Sequence, residues 1–249
     1  MAIAPNPAPE SLSAKDPLPA SIPKIRDGHL AAVYYGQRRS GDFYDFVRAT
    51  HDRVVFGLFD VAGDLRETRP VMLALQQSFR QQGAALFATT TSNEVEALLE
   101  LWLQLNRTVM QAAAGVRSCP AFLCCYNEEV KMLTYLNAGH TPGLFRDGAQ
   151  VSPLGATALP LGLFSHSVPD ASIIRLGAGN AVLVASQGVV EARHRGEEFG
   201  LDRVMRYVQE VGFESAHETC LGLLARVQQF MGTAPTHNDV TAVALLRSL

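Results

Sequence analysis

Apolar and polar positions along this chain follow two periods, one of strands and one of helices, in alternating blocks. Residues 29–37 and 53–61 carry the β-branched, aromatic and short apolar content of strands, with a polar turn at 51–53. These two strands are expected to pair. Over 66–87 and again over 92–114 apolar residues recur at helical spacing. In the second run Val95, Leu98, Leu99, Trp102, Leu105 and Val109 line one face, and Ser92 or Asn93 is placed to cap it. Two long helices packed as a pair follow. Residues 121–146 return to strand character around an acidic turn at 127–129, and a Gly/Pro-punctuated stretch runs through Gly162. A short strand at 181–186, helical patterns at 201–211 and 216–231, and a strand at 240–246 complete the pattern.

Strand runs alternating with helix pairs, without a regular βαβ rhythm, predict an α+β fold of antiparallel sheets covered by helices on their outer faces. No solenoid repeat is present. At 249 residues and 47% hydrophobic the chain has enough apolar material for one substantial core, so one domain over 25–249 is expected. Residues 1–24 are rich in Pro, Ala and Ser and lack both a basic start and an apolar core. They read as a disordered tail rather than a signal peptide, and no additional sensor, kinase or response-regulator domain is expected.

The formal net charge of −3, without a sustained Lys/Arg run, leaves no footprint for nucleic acid or an anionic membrane surface. No apolar run approaches the ~20 residues that span a bilayer. Cys119, Cys124, Cys125 and Cys220 form neither a CxxC pattern nor a disulfide framework, so a reducing cytoplasm and buried thiols are expected. Cys124 and Cys125 are adjacent on a predicted strand and must point to opposite faces.

The candidate chemistry is acidic. Asp42 and Asp45 follow Gly41, at the expected end of the first strand, and Asp60 closes the apolar run 54–59 just before Ala62 and Gly63. Carboxylates on neighbouring strands can clamp a hard divalent cation, which prefers oxygen ligands. Asp residues at strand ends also cap turns, and spacing alone leaves both readings open.

Several strings in one order carry a resemblance. Ser40-Gly41-Asp42-Phe43-Tyr44-Asp45, Phe59-Asp60-Val61-Ala62-Gly63, Asn137-Ala138-Gly139-His140-Thr141-Pro142, Pro160-Leu161-Gly162, Gly188 to Arg193, Phe199-Gly200 and Asp239-Val240-Thr241 together resemble the SpoIIE-like branch of the PPM-type protein phosphatases, from about residue 31 to 246. The resemblance implies a four-layer αββα sandwich whose cleft holds two Mn²⁺ or Mg²⁺ ions, with a metal-bridging water attacking phosphoserine or phosphothreonine. It implies Asp42 and Asp60 as metal ligands, Asp60 bridging, with the Val61 carbonyl as a helper. Where the family has two further acids, this chain has Gln187 and Asn238.

Gln and Asn offer an amide oxygen but no negative charge. Second-shell changes alone typically cost ~10–100-fold in metal affinity, so losing two ligand charges should cost ~10²–10⁴-fold. The expectation is a weakly active or inactive phosphatase homologue, a pseudophosphatase in regulatory signalling that binds a phosphoprotein or regulatory protein partner, with metal weak, single or absent. The alternative is an active Mn/Mg-dependent serine/threonine phosphatase acting on an anti-sigma-factor antagonist type of substrate. Asp239 is the one neighbouring acid that can substitute, although adjacent strand residues face opposite sides. Asp64-Leu65 departs from the basic or imidazole residue followed by Gly that the family often has there. A homodimer is left open.

Other chemistries are disfavoured. His140 reads as a turn residue between core strands rather than a catalytic one, and Trp102 as core. His51, His166, His194, His217 and His237 make no H-x-x-x-H pair, no G-x-S-x-G elbow occurs, and Gly177 and Gly179 do not make a dinucleotide fingerprint.

Overall fold

A computed structural model describes residues 19–36, 41–63, 65–88, 93–113, 118–212, 214–232 and 239–249. Ser40, Asp64, Ser92, His237 and Asn238, all weighed in the sequence, lie outside the described residues, as do residues 1–18 of the expected tail. Residues 19–24 of that segment touch the body: Ala20 packs on the core, and the Pro19 carbonyl accepts from Arg80 Nη2 at 3.3 Å.

The chain opens with β1 (Gly28–Tyr35), β2 (Asp42–Arg48) and β3 (Arg53–Asp60), followed by the helices α1 (Leu65–Leu86) and α2 (Glu94–Ala112). Asn93 caps α2, its Oδ1 accepting from the Val95 and Glu96 amides at 3.0 and 3.4 Å. Six strands follow: β4 (Ala121–Asn127), β5 (Met132–Ala138), β6 (Gly143–Asp147), β7 (Gln150–Leu154), β8 (Ser172–Arg175) and β9 (Ala181–Ala185). The short α3 (Gln187–Val190), the hairpin of β10 (Arg193–His194) and β11 (Glu197–Glu198), α4 (Gly200–Glu210), α5 (Ala216–Met231) and β12 (Val240–Arg247) complete the order.

Two five-stranded antiparallel sheets form, β1-β12-β9-β6-β7 and β2-β3-β4-β5-β8. The expected pairing of the first strand with 53–61 is therefore wrong. β1 pairs with β12 in one sheet, and β3 pairs with β2 and β4 in the other. The segment read as a turn, Asp42 onward, is itself a strand. Periodicity identified strands but carried no information about a partner two hundred residues away.

Three buried clusters mark three interfaces of a four-layer αββα sandwich. Val54, Phe56, Leu58, Phe122 and Cys124 meet Val182, Val184, Val243 and Leu245 between the sheets. Val55, Phe59, Leu123 and Cys125 pack under α1 and α2, and the outer face of the first sheet packs under α4 and α5. β3 and β4 are covered on both faces, which is why they read as unbroken apolar runs. All four cysteines are buried free thiols, and Cys124 and Cys125 point to opposite faces as their adjacency requires. Among the described residues no helix is long and apolar enough to cross a membrane.

Candidate functional site

Asp42 opens β2 and Asp60 closes β3, and the antiparallel register sets the two directly opposite each other at one end of the sandwich. Strand alternation then sorts β2. Phe46 packs between the sheets, on Asp42's side of the strand, while Phe43 packs under the helices, on the side of Asp45. Asp45 is fully buried there. It accepts Arg80 Nε from α1 at 2.6 Å on one oxygen, and on the other Arg80 Nη2 at 3.2 Å and the Phe46 amide at 2.9 Å. Its carboxylate is spent on holding α1 to the sheet.

Asp42 and Asp60 behave as a crowded pair. Burial, then the charges of Asp60 and Asp239, push the Asp42 carboxyl well above the usual carboxylate range, opposed by a hydrogen bond with the Ser186 hydroxyl. Burial also raises Asp60; its hydrogen bond with Asp42 opposes the rise and the charge of Glu191 adds to it. Asp42 Oδ2 is buried and finds no hydrogen-bond donor among the described residues. Beside them Gly41 is required by space, because a Cβ there would stand 2.0 Å from the Val61 carbonyl oxygen.

The other sheet supplies the opposite wall. Ser186, at the end of β9, is tied to the start of β12: its amide donates to the Thr241 carbonyl at 2.9 Å and its Oγ accepts the Thr241 amide at 3.0 Å. Asp239, just before β12, is 3% exposed and near enough for its charge to act on Asp42. It faces Gly36, where a Cβ would lie 2.1 Å from Asp239 Oδ1. Gln187 is exposed at the start of α3, and its Nε2 donates to Glu191 Oε1 at 2.6 Å.

Asp60 and Asp239 thus act on Asp42, and Glu191, held by Gln187, acts on Asp60, all at one end of the sandwich. Glu191 and the nearby Ser186 were given no role in the sequence. Glu191 was quoted only within a matched string, although its i, i+4 spacing to Gln187 places the pair together on a helix. Ser186 gave no signal beyond position. The donor set fits a hard divalent cation: all oxygen, mostly anionic, with one buried carboxylate oxygen that has no donor among the described residues. Among the described residues only His51, Asp52 and Glu129 place three ligand atoms within 4.8 Å of one another. That trio sits at the turns after β2 and β4, the far end of the β2–β3 ladder, where Asp52 is already bonded to Thr50 Oγ1 at 2.6 Å. No three of the carboxylates around Asp42 meet that spacing among the described residues.

His140 serves a turn. Its amide donates to Asn137 Oδ1 at 2.8 Å, Gly139 adopts φ +67° against the Pro160 ring, and burial pulls the imidazole pKa down to about 4. The neighbouring Thr141 hydroxyl donates to the Ala185 carbonyl, joining this turn to β9. Gly162 is fixed from α2, its amide donating to Asn106 Oδ1 at 2.7 Å.

The family model for Stage II sporulation protein E (SpoIIE) matches residues 50–248. Phosphoserine phosphatase RsbP of Bacillus subtilis (strain 168) is 24% identical over 172 residues, which are 68% of this chain and 41% of RsbP. The chain therefore spans about two fifths of the length of that relative. Among solved structures, the SiaA-PP2C domain of Pseudomonas aeruginosa superposes with a TM-score of 0.73 at 16% identity, covering 88% of this chain and 84% of that one. The RsbU and RsbW domains of Rv1364c from Mycobacterium tuberculosis superpose with a TM-score of 0.73 at 25% identity, covering 90% and 62%. RsbX in complex with magnesium gives 0.63 at 10% identity, covering 89% and 96%. With four fifths of its length matched by one family model and its layers reproduced in these structures, the chain belongs to the SpoIIE family and has the PPM-type phosphatase fold.

Proposed function

We propose that this domain binds a phosphoserine- or phosphothreonine-bearing regulatory protein in the Asp42/Asp60 cleft and dephosphorylates it slowly, with Mn²⁺ or Mg²⁺ as cofactor. The observation that carries the reading is the opposed Asp42–Asp60 pair with Gln187 where the family's next acid belongs. A phosphate dianion enters a cleft bordered by carboxylates only when cations offset their charge. Asp42, Asp60 and Asp239 would hold the cation, with the Val61 carbonyl beside them. When bound, it lowers the pKa of water and stabilises charge on the phosphoryl group. Ser186 orients Asp42, and the register of β2 on β3 fixes the spacing of the two acids.

Slow turnover follows from charge. Gln187 brings no negative charge, nor does Asn238, so a second ion is held weakly. A faster enzyme, on a substrate of the anti-sigma-factor antagonist type, is favoured by one observation: Asp239 is buried and acts on Asp42. A reducing cytoplasm agrees with the four buried free thiols, and a phosphoserine substrate with the description of RsbP as a phosphoserine phosphatase.

Phosphate release from phosphoserine and phosphothreonine proteins across a Mn²⁺ titration tests this. Native turnover is expected to be slow, abolished by Asp60→Asn and raised at least ~10-fold by Gln187→Asp/Asn238→Asp. Turnover that survives Asp60→Asn, or that needs no cation, would overturn the proposal.

A further inference from the structure

The helical layer over the first sheet carries a groove that the Asp42/Asp60 site does not use. On α4, Val204, Tyr207 and Val208 are buried in the core, which leaves Arg203 and Arg206, aligned with Phe199 at helical spacing, on the outer side. On α5, Arg226, Gln229 and Phe230 make the matching stripe, again three and four residues apart. These six residues line an open groove of about 420 Å³, and no acid lines it among the described residues. In a chain of net charge −3, three guanidinium groups gathered in one groove are a local reversal of sign.

Two of the three guanidinium groups are held in place. Arg203 lies over the Phe230 ring, 4.8 Å from its centroid, and its Nη1 donates to the Glu198 and Phe199 carbonyls at 2.6 and 2.9 Å. Arg226 lies 5.1 Å from the centroid of Tyr207, whose hydroxyl is fixed by donating to the Thr219 carbonyl at 2.7 Å. Their acidic neighbours, Glu197 at 3.3 Å and Glu210 at 3.1 Å, stand outside the lining in exposed pairs that water weakens. Arg206 is exposed and has no hydrogen-bond or ion-pair partner among the described residues. We infer that this groove is a docking site for an acidic segment of a partner polypeptide, with Arg206 as the free fork for a carboxylate and Arg203 and Arg226 as the positioned pair beside it. A nucleotide suits the groove less well. Phe199 is buried, and Phe230 already meets Arg203 and the rings of Phe199 and His194, which leaves little ring surface for a base to stack on. The plainer reading, surface ion pairs on two helices, gives no reason for an unpaired Arg206 beside them.

None of these residues belongs to the Asp42/Asp60 site, so the inference stands or falls apart from the cation reading. Fluorescence anisotropy measures binding of the labelled peptide Glu-Glu-Leu-Glu-Glu-Leu-Glu-Glu, and of its counterpart with Lys in place of Glu, to the full chain at low ionic strength, where exposed charges are least screened. The proteins are the native chain, Arg206→Glu and Arg175→Glu, each with a thermal melt. Arg175 is exposed on β8 in the other sheet, so its variant makes the same change of net charge away from the groove. The native chain should bind the Glu peptide and not the Lys peptide. Arg206→Glu should weaken that binding at least ~10-fold with its melt unchanged, and Arg175→Glu should leave it within about threefold. A native chain that does not bind the Glu peptide, or binds the Lys peptide as tightly, overturns the inference, as does equal weakening by the two variants. Binding of a fluorescent ATP analogue in place of the Glu peptide, with the same dependence on Arg206, overturns it in favour of a nucleotide.

Discussion

Asp42 and Asp60 face each other across the last rung of the β2–β3 ladder, where burial raises the pKa of both carboxyls and a hydrogen bond links them. Both titrate above their unfolded value, so the folded chain binds protons more tightly than the unfolded one as pH rises from about 4. With more protons bound in the folded state, stability falls as pH rises through the raised values and then stays level. Without added cation, Asp42→Asn should flatten that fall and raise the melting temperature at neutral pH by about 2–4 °C for each ~1 kcal/mol of repulsion relieved. Mn²⁺ should reverse the ranking, stabilising the native chain and not the variant. Differential scanning calorimetry against pH and Mn²⁺ checks both.

Asp45, three residues on, should behave in the opposite way. Arg80→Ala leaves the Asp45 carboxylate buried with the Phe46 amide still donating to it, and the expected cost is about 2–4 kcal/mol. Arg80 is one third exposed, which keeps the figure below that of a fully sealed pair. Denaturant unfolding should show that loss while calorimetry shows Mn²⁺ affinity unchanged. A fall in affinity equal to that of Asp42→Asn would place Asp45 in the cleft instead.

Gly36 and Asp239 are linked by contact. A methyl group at 36 would stand 2.1 Å from Asp239 Oδ1, so Gly36→Ala must push the carboxylate away. The expected results are a stability loss of about 1–3 kcal/mol and weaker Mn²⁺ binding, in the same direction as Asp239→Asn. Unchanged Mn²⁺ affinity in both variants would remove Asp239 from the cation set.

His140 gives a pH signature of its own. Its pKa is drawn down to about 4 by burial, so between about 6.5 and 4 the unfolded chain binds the extra proton and the folded chain does not. Stability therefore falls as pH drops through that window, by at most about 3 kcal/mol. His140→Gln should lose less stability than the native chain over the same range, measured by urea unfolding at each pH. Equal slopes would show that the imidazole is not buried neutral.

Local chemistry was the legible part of this sequence. Asn93 announced the start of α2, the acidic turn announced the β4–β5 hairpin, and adjacent Cys124 and Cys125 declared a strand covered on both sides. The odd offset between Asp42 and Asp45 already separated a cleft acid from a structural one, once that segment was known to be a strand. It was hidden because Ser-Gly-Asp reads as a turn, and because β2 carries Phe43 and Phe46 on opposite faces, which blurs a two-residue period. The partnership of β1 with β12 is not local and leaves no periodic trace. Glu191 was missed because α3 spans four residues, too few for any helical period to register.

Anomalous scattering from crystals grown with Mn²⁺ tests the central claim most directly. The account predicts a manganese peak bonded to the carboxylates of Asp42 and Asp60, and no such peak in Asp60→Asn crystals. A cleft without manganese at millimolar Mn²⁺, with Asp42 and Asp60 still hydrogen-bonded to each other, would contradict it.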